Sequence, residues 1–460
     1  MSDDLLQTLA ARGVDLLAAR DPELHALLVR EYQRQMETLV MVAASSIADP
    51  SVLASEAMPL TNVTTEGYPG ARFHAGCEVV DEIEQLAIER AKRAFRARFA
   101  NVQPHSGSSA NEIVLGAMLK PGDTILGLDL DCGGHLTHGS KASVSGQWFH
   151  AVAYGLDGNG FIDYGQAAEL ARAHRPRLIV AGASAYPRAI DFARFRAIAD
   201  EVGAYLLADI SHIAGLVVAG VHESPIDHAH FTTTSTYKQL CGPRGGVILM
   251  GRDWDAPAPG GKGTLSQAIQ RAVFPFFQGT PNLAAIAAKA RAFDFVVTPE
   301  FTSIAERIVT MAAALADWFG ARGYRVLTGG TDNHMVLIDV LERGISGVIA
   351  ERALESCSIV INKNRIPGDR QPALVTSGIR LGTNSLAVRG MGPTDMPECA
   401  DLLDRVLAAT DAKGLREYEL PLHVRNDVQA EVREICARHP IAEYAFGSAA
   451  RPAYQRTSSV

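Results

Sequence analysis

Cysteine is scarce in this chain: six residues, at 77, 132, 241, 357, 399 and 436, with no C-x-x-C pair and no zinc-like cluster. That scatter fits reduced thiols in a cytoplasm and argues against a disulfide framework or a metal ribbon. Long apolar runs are missing as well, none approaching the ~18 residues a membrane span requires. The opening MSDDLLQTLAARG is acidic and amphipathic, unlike a secretory leader. Positive charge is in short supply. The formal net charge is -8 and no basic block exceeds a few residues, which argues against a polyanionic nucleic-acid partner. No internal repeat recurs. The expectation is a cytoplasmic protein with small-molecule ligands, no resident metal, no membrane and no nucleic acid.

What is present describes an ordinary globular protein. Its 460 residues, 47% hydrophobic and 20% charged, exceed one small core and predict two domains with terminal appendages. Residues 22 to 44 have helical spacing behind Pro22. The Gly-rich stretch EGYPGARFHAGCEVVD interrupts it, and helical spacing resumes over Glu84–Ala97. Short apolar runs then alternate with helical segments: TILGLDL (124–130), RLIVAGA (177–183), YLLADI (205–210) and GVILMG (246–251), with DFARFRAIADEV between the second and third. Such alternation predicts a mostly parallel sheet covered by helices. From about residue 296, a long helix (SIAERIVTMAAALADWFGARG) and the strands HMVLIDV and SIVINKN suggest a smaller α+β domain. The expected organisation is an N-terminal helical arm (1–62), a large α/β domain (63–295), a small C-terminal domain (296–450) and a tail (451–460) frayed beyond about Ala449.

Three features carry chemistry. Lys238 lies in TTTSTYKQLCGPRGG, where Thr232 to Thr236 favour extended or irregular backbone and Gly242-Pro243 forces a turn. A Lys shielded there gains the lowered pKa that lets an amine condense with an aldehyde, although a lone Lys is most often a solvated charge. Ser106, Gly107 and Ser108, in HSGSSANEIVLGAML, open a helix whose amides, hydroxyls and dipole suit an anion, although Ser-rich caps are common without one. Asp209 ends the run YLLADI, where open α/β sheets place their ligands. A carboxylate there can keep a pyridine nitrogen protonated, or it can simply cap the following helix.

Taken in order, EGYPGARFHAGCEVVDEIEQLAIERA, ANVQPHSGSSAN, GGHLTHGS, LLADISHIAGLVVAG, TTTSTYKQLCGPRGG, GGTDNH, NKNRIP and VTSGIRLGT are similar to the serine hydroxymethyltransferase family. Its members are pyridoxal-phosphate enzymes of fold type I, aspartate-aminotransferase-like. The likeness runs from about residue 58 to 440. It implies a large domain with a mostly parallel seven-stranded sheet and a smaller α+β C-terminal domain. It also implies a homodimer or dimer of dimers whose active sites are shared across the subunit interface.

By this resemblance Lys238 carries the imine to the cofactor. Ser106, Gly107, Ser108 and Ser235 belong to the cofactor site, the first three gripping its phosphate, joined across the dimer by the backbone near Gln278 and Gly279. His135 stacks on the ring, Asp209 pairs with its nitrogen, and Ser184 and His212 sit near its 3′-oxygen. Arg380 clamps the amino-acid carboxylate with a planar fork. Glu66 moves a proton beside the substrate hydroxyl and tetrahydrofolate, the co-substrate. Leu130, Leu136 and Asn364 contact the pteridine, although core packing is the plainer reading of the two leucines.

The departures from the family pattern gather around the substrate. Thr64 stands where the family has Tyr, Phe73-His74-Ala75-Gly76 replaces Tyr-Tyr-Gly-Gly, and Tyr237 replaces the His before the lysine. Ala44, Ser45 and Ser46 replace Ser-Glu-Asn, Phe276 and Phe277 replace glycines, and Thr383-Asn384-Ser385 replaces Thr-Pro-Ala. Exchanging Tyr for Thr beside Cα opens space for a methyl group that a filled pocket would reject. His74 keeps a ring that exchanges protons near neutrality. The expected reaction is therefore hydroxymethyl transfer between 2-methylserine and tetrahydrofolate with release of D-alanine. The alternatives are serine with glycine, a folate-independent threonine aldolase or transaldolase, and an idle scaffold homologue.

Overall fold

The chain folds around two sheets, and the larger one sets the geometry of the site. The computed structural model describes residues 5–441, so the expected frayed tail lies outside the described residues. The larger sheet has seven strands in the order Phe99–Asn101, Gly246–Met250, Phe231–Ser235, Tyr205–Asp209, Leu178–Gly182, Thr124–Leu128 and His150–Tyr154. The last five are parallel, and the Gly246 strand runs antiparallel to both neighbours. Leu178–Gly182 and Phe231–Ser235 are buried at every position, as strands covered on both faces must be. Phe231–Ser235 confirms the extended backbone that its threonines favour.

Helices cover the sheet. Glu78–Phe95 packs against Leu283–Phe295, a helix buried on almost every side, with alanine at six of its thirteen positions. The smaller sheet is antiparallel, ordered Arg325–Val326, Met335–Asp339, Gly378–Gly382 and Asn362–Asn364. The long helix Pro299–Ala321 lies against it, capped by the Thr298 side chain and started by Pro299.

Three segments differ from the expectations. The helix predicted over 22 to 44 ends at Met36, and Leu39–Val40 pairs in parallel with Ile359–Val360. The run Thr38-Leu39-Val40-Met41-Val42 has a β-branched residue at every second position, and Leu39 and Met41 between them are fully buried. Helix begins at Glu78 and so includes the last four residues of the Gly-rich stretch, whose remainder forms a tight hairpin, Gly67–Tyr68 with Ala71–Arg72. SIVINKN is two strands rather than one. Ile359–Val360 joins Leu39–Val40, and after Ile361 the chain switches partner so that Asn362–Asn364 joins the Arg380 strand.

Candidate active site

Strand ends and helix starts of the larger sheet converge on one pocket with about 430 Å³ of free space. Its lining includes Ser106, Gly107, Ser108, His135, Ser184, Asp209, His212, Ser235, Tyr237 and Lys238, all anticipated, together with Ala183 and Ser211. Asp209 ends its strand, Ser184 follows the neighbouring one, and Lys238 sits on the turn after Phe231–Ser235. Parallel strands deliver all three to the same edge, where ligands of open α/β sheets bind.

Lys238 is almost wholly buried, and burial lowers its pKa to about 8 against the opposing pull of Asp209, with Arg380 and Arg244 lowering it further. A substantial neutral fraction near pH 8 is what a nucleophilic amine needs. Asp209 is held by four donors. Oδ2 accepts from Asn111 Nδ2 (2.8 Å) and His138 Nε2 (3.0 Å), and Oδ1 accepts from the Ser211 amide (3.0 Å) and hydroxyl (2.6 Å). Burial alone would raise its pKa, but His138, His135 and Ser211 hold the carboxyl well below the usual range. His138 Nδ1 accepts from the His135 amide (3.3 Å), which leaves its Nε2–H for Asp209. Burial brings the pKa of His135 down to about 4, so its ring is neutral at physiological pH.

The anion cradle also has a definite form. Ser106 caps the Gly107–Met118 helix, its Oγ accepting from the Ser109 amide (3.0 Å). A Cβ at Gly107 would lie 3.2 Å from Ser211 Oγ and from Ser235, so only glycine leaves this corner open. The Ser235 hydroxyl is buried in the same pocket with no hydrogen-bond partner among the described residues. An unpartnered hydroxyl beside a helix N-terminus fits the phosphate of pyridoxal phosphate, and a buried amine beside an ionised carboxylate fits its aldehyde and ring nitrogen.

Arg380 is half-buried beside this pocket. Its Nε donates to Asn362 Oδ1 (3.0 Å) and one terminal nitrogen to the Ser184 carbonyl, and it meets no carboxylate among the described residues. Burial lowers its pKa to about 10, so the guanidinium stays charged and short of a counter-ion.

Other anticipated residues lie apart. Thr64 and His74 are exposed, Glu66 is half-buried, and none of them lines the Lys238 pocket of the same protomer. Glu66 instead lies against Gly279. Gln278 braces the cradle from behind, its Oε1 accepting from the His105 amide (3.2 Å) and its Nε2 donating to the Gln103 carbonyl (3.0 Å). Leu130 and Leu136 are 45% and 48% exposed, which removes core packing as their explanation. The loops carrying Leu130 and Asn364 are tied by an ion pair of Arg365 with Asp131 (2.8 Å). Of the substituted residues, Phe73 packs edge-on against Phe274 (5.6 Å), and Phe276 packs against its neighbour Phe277 (4.9 Å) on the segment that leads into Gln278.

Asn111, His138 and His334 were not anticipated as functional. They stand in SSAN, THG and TDNH, and only the spacing of His138 three residues after His135 signals a shared task. Among the described residues, His135, His138 and Asp209 also form a group with potential metal-ligand atoms within 4.8 Å of one another. The Asp209 carboxylate of that group already accepts from Asn111, His138 and Ser211. No helix of the described residues is long and apolar enough to cross a membrane.

The model of the family described as serine hydroxymethyltransferase matches residues 17–403. The chain is 46% identical over 425 residues to serine hydroxymethyltransferase of Chromohalobacter salexigens, covering 92% of this chain and 98% of that protein. It is 47% identical over 426 residues to the enzyme of the same name from Xanthomonas axonopodis pv. citri, with the same coverages. It is 45% identical over 428 residues to serine hydroxymethyltransferase 2 of Ralstonia nicotianae, covering 92% and 97%.

Proposed function

The chain belongs to the serine hydroxymethyltransferase family, and we propose that its Lys238 pocket moves a hydroxymethyl group between serine and tetrahydrofolate, with glycine as the other amino acid. It is a pyridoxal-phosphate-dependent hydroxymethyltransferase of fold type I, with tetrahydrofolate as co-substrate. The observation that carries the residue assignment is the meeting of a buried amine, an ionised carboxylate and a guanidinium short of a counter-ion in one place.

Bound there, pyridoxal phosphate supplies an electron sink for the charge left at Cα when the Cα–Cβ bond breaks. The protein's own groups do the rest. Asp209, kept ionised by Asn111, His138 and Ser211, holds the proton on the ring nitrogen. The neutral ring of His135 would help hold the cofactor ring. The Gly107 helix start and the Ser106, Ser108 and Ser235 hydroxyls hold the phosphate. Arg380 pairs with the amino-acid carboxylate, a charge-assisted contact of about 1.5–3 kcal/mol, and so orients the bond that breaks. Thr64, Glu66 and His74 reach this pocket from a partner subunit, Glu66 and His74 managing protons during one-carbon transfer, while Leu130, Leu136 and Asn364 flank the pteridine.

A second amino-acid pair, 2-methylserine with D-alanine, is favoured by one observation. Thr64 and Phe73, two of the residues that depart from the family pattern, flank Glu66, the Phe73 amide donating to the Glu66 carbonyl (3.0 Å). The test offers D-alanine, glycine and L-threonine separately, with and without tetrahydrofolate. Folate-dependent turnover of glycine alone establishes the serine pair, and turnover of D-alanine establishes the methylated one. Transfer to an aldehyde without folate would remove both. If the methylated pair holds, Thr64→Tyr is expected to cut D-alanine turnover at least about tenfold through overlap with the methyl group, leaving glycine nearly untouched.

A further inference from the structure

Behind the Lys238 pocket lies a second histidine that the reaction as described does not use. His212 lines the pocket, and His334, fully buried, stands behind it with Nε2 at 3.4 Å from His212 Nδ1. The two rings are inclined by only 21° with centroids 5.6 Å apart. The difference between centroid and nitrogen separations matches two ring radii, so the rings meet edge to edge along an N–H···N line rather than face on face. Both rings are neutral: burial and the neighbouring Lys238 and Arg380 cations hold His212 well below its ordinary pKa and bring His334 down to about 3. Two neutral imidazoles meeting this way share a single proton.

The far side of His334 decides which nitrogen owns it. His334 Nδ1 faces the Ala43 carbonyl without completing a hydrogen bond of full geometry. That carbonyl is held in place by Asn384 Nδ2 (2.9 Å), whose own Oδ1 accepts from Gln239 Nε2 (3.3 Å), next to Lys238 in the chain. The close approach of Ala43 to the Arg380 strand is built in, since a Cβ at Gly382 would lie 2.4 Å from Ala43 Cα. A carbonyl can only accept, so this arrangement favours a proton on His334 Nδ1 and a bare His334 Nε2. The proton between the rings then belongs to His212 Nδ1.

We propose that His334 is a positioning residue that fixes His212 as its Nδ1–H tautomer, so that the nitrogen His212 turns to the pocket is a hydrogen-bond acceptor. The ligand group meeting it is a donor, a hydroxyl or an ammonium, and a bare oxyanion at that point is disfavoured. The identity of that donor rests on the cofactor and amino-acid reading above, but the tautomer does not.

The experiment is nitrogen-15 NMR of the full-length protein labelled at histidine, recorded without ligand and again with pyridoxal phosphate. His212 is assigned from the signals lost in His212→Asn. The expected result is a protonated Nδ1 and a bare Nε2 on His212. His334→Gln, whose side-chain carbonyl still accepts from His212 Nδ1, retains that pattern. His334→Leu removes the acceptor and shifts the tautomer ratio by roughly tenfold, the effect of one lost hydrogen bond. A protonated Nε2 on His212 in the native protein overturns the proposal, as does an unchanged ratio in a folded His334→Leu. The native measurement decides by itself should the Leu variant not fold.

Discussion

Lys238 shows how far a residue's chemistry follows from its neighbours. Burial lowers its pKa from 10.5 to about 8, and Asp209 keeps it from falling further. The rate at which ligand-free protein captures pyridoxal phosphate is therefore expected to rise about tenfold per pH unit up to about 8 and then level off, as the neutral amine becomes the whole population. Stopped-flow absorbance across pH checks this, and a midpoint near the ordinary lysine value would refute the burial argument. Stability is linked to the same shift. Between pH about 8 and 10.5 the unfolded chain holds the lysine proton that the folded chain has lost, so stability rises with pH across that window. Lys238, Asp209 and Ser106 were legible in the sequence because each stands in a pattern whose chemistry is local. Asn111 and His334 were not, because their partners lie 98 and 122 positions away in the chain.

At the scale of elements, the alternation of strand and helix was legible because period and punctuation are local, whereas strand partners are not. Leu39–Val40 reads as the tail of a helix until its partner, Ile359–Val360, is known. The same limit hides Lys289, on the buried Leu283–Phe295 helix. Its Nζ donates to the carbonyls of Val102 (2.6 Å), Pro104 (3.1 Å) and Gly246 (3.0 Å). Those groups belong to the loop entering the anion cradle and to the antiparallel strand beside it. Burial brings the pKa of Lys289 down to about 7, yet three carbonyl acceptors match the three protons of an ammonium group, the form this arrangement holds. Lys289→Met would leave these carbonyls without their donor, at a cost of about 2–5 kcal/mol. The expected outcome is a thermal midpoint lowered by several degrees and a weaker grip on inorganic phosphate in the ligand-free protein. A lowered midpoint with phosphate affinity unchanged would make Lys289 a prop for the core alone.

For the whole molecule, the telling feature is what one protomer leaves apart. The N-terminal helices Leu5–Arg20 and Pro22–Met36 bury no residue, and Leu6, Leu9, Leu27 and Leu28 stand exposed along them. Phe73 and Phe276 are 75% and 68% exposed beside Glu66 and Gly279. The proposed site assembled from two copies would account for both the bare apolar surface and the absence of Glu66 from the lining of the Lys238 pocket. The consequence is complementation. Lys238→Ala and Glu66→Gln each disable every site in their own homodimer. Unfolded together and refolded as an equal mixture, half of the dimers carry one of each chain. In those, one of the two sites draws its lysine from one protomer and its glutamate from the other, both intact. Random pairing then restores about a quarter of native folate-dependent turnover. If both residues serve a site within one protomer, every site in the mixture lacks one of them and activity stays at the level of the parents. That result would place the hairpin carrying Thr64, Glu66 and His74 outside the shared pocket and remove the structural ground for the methylated substrate.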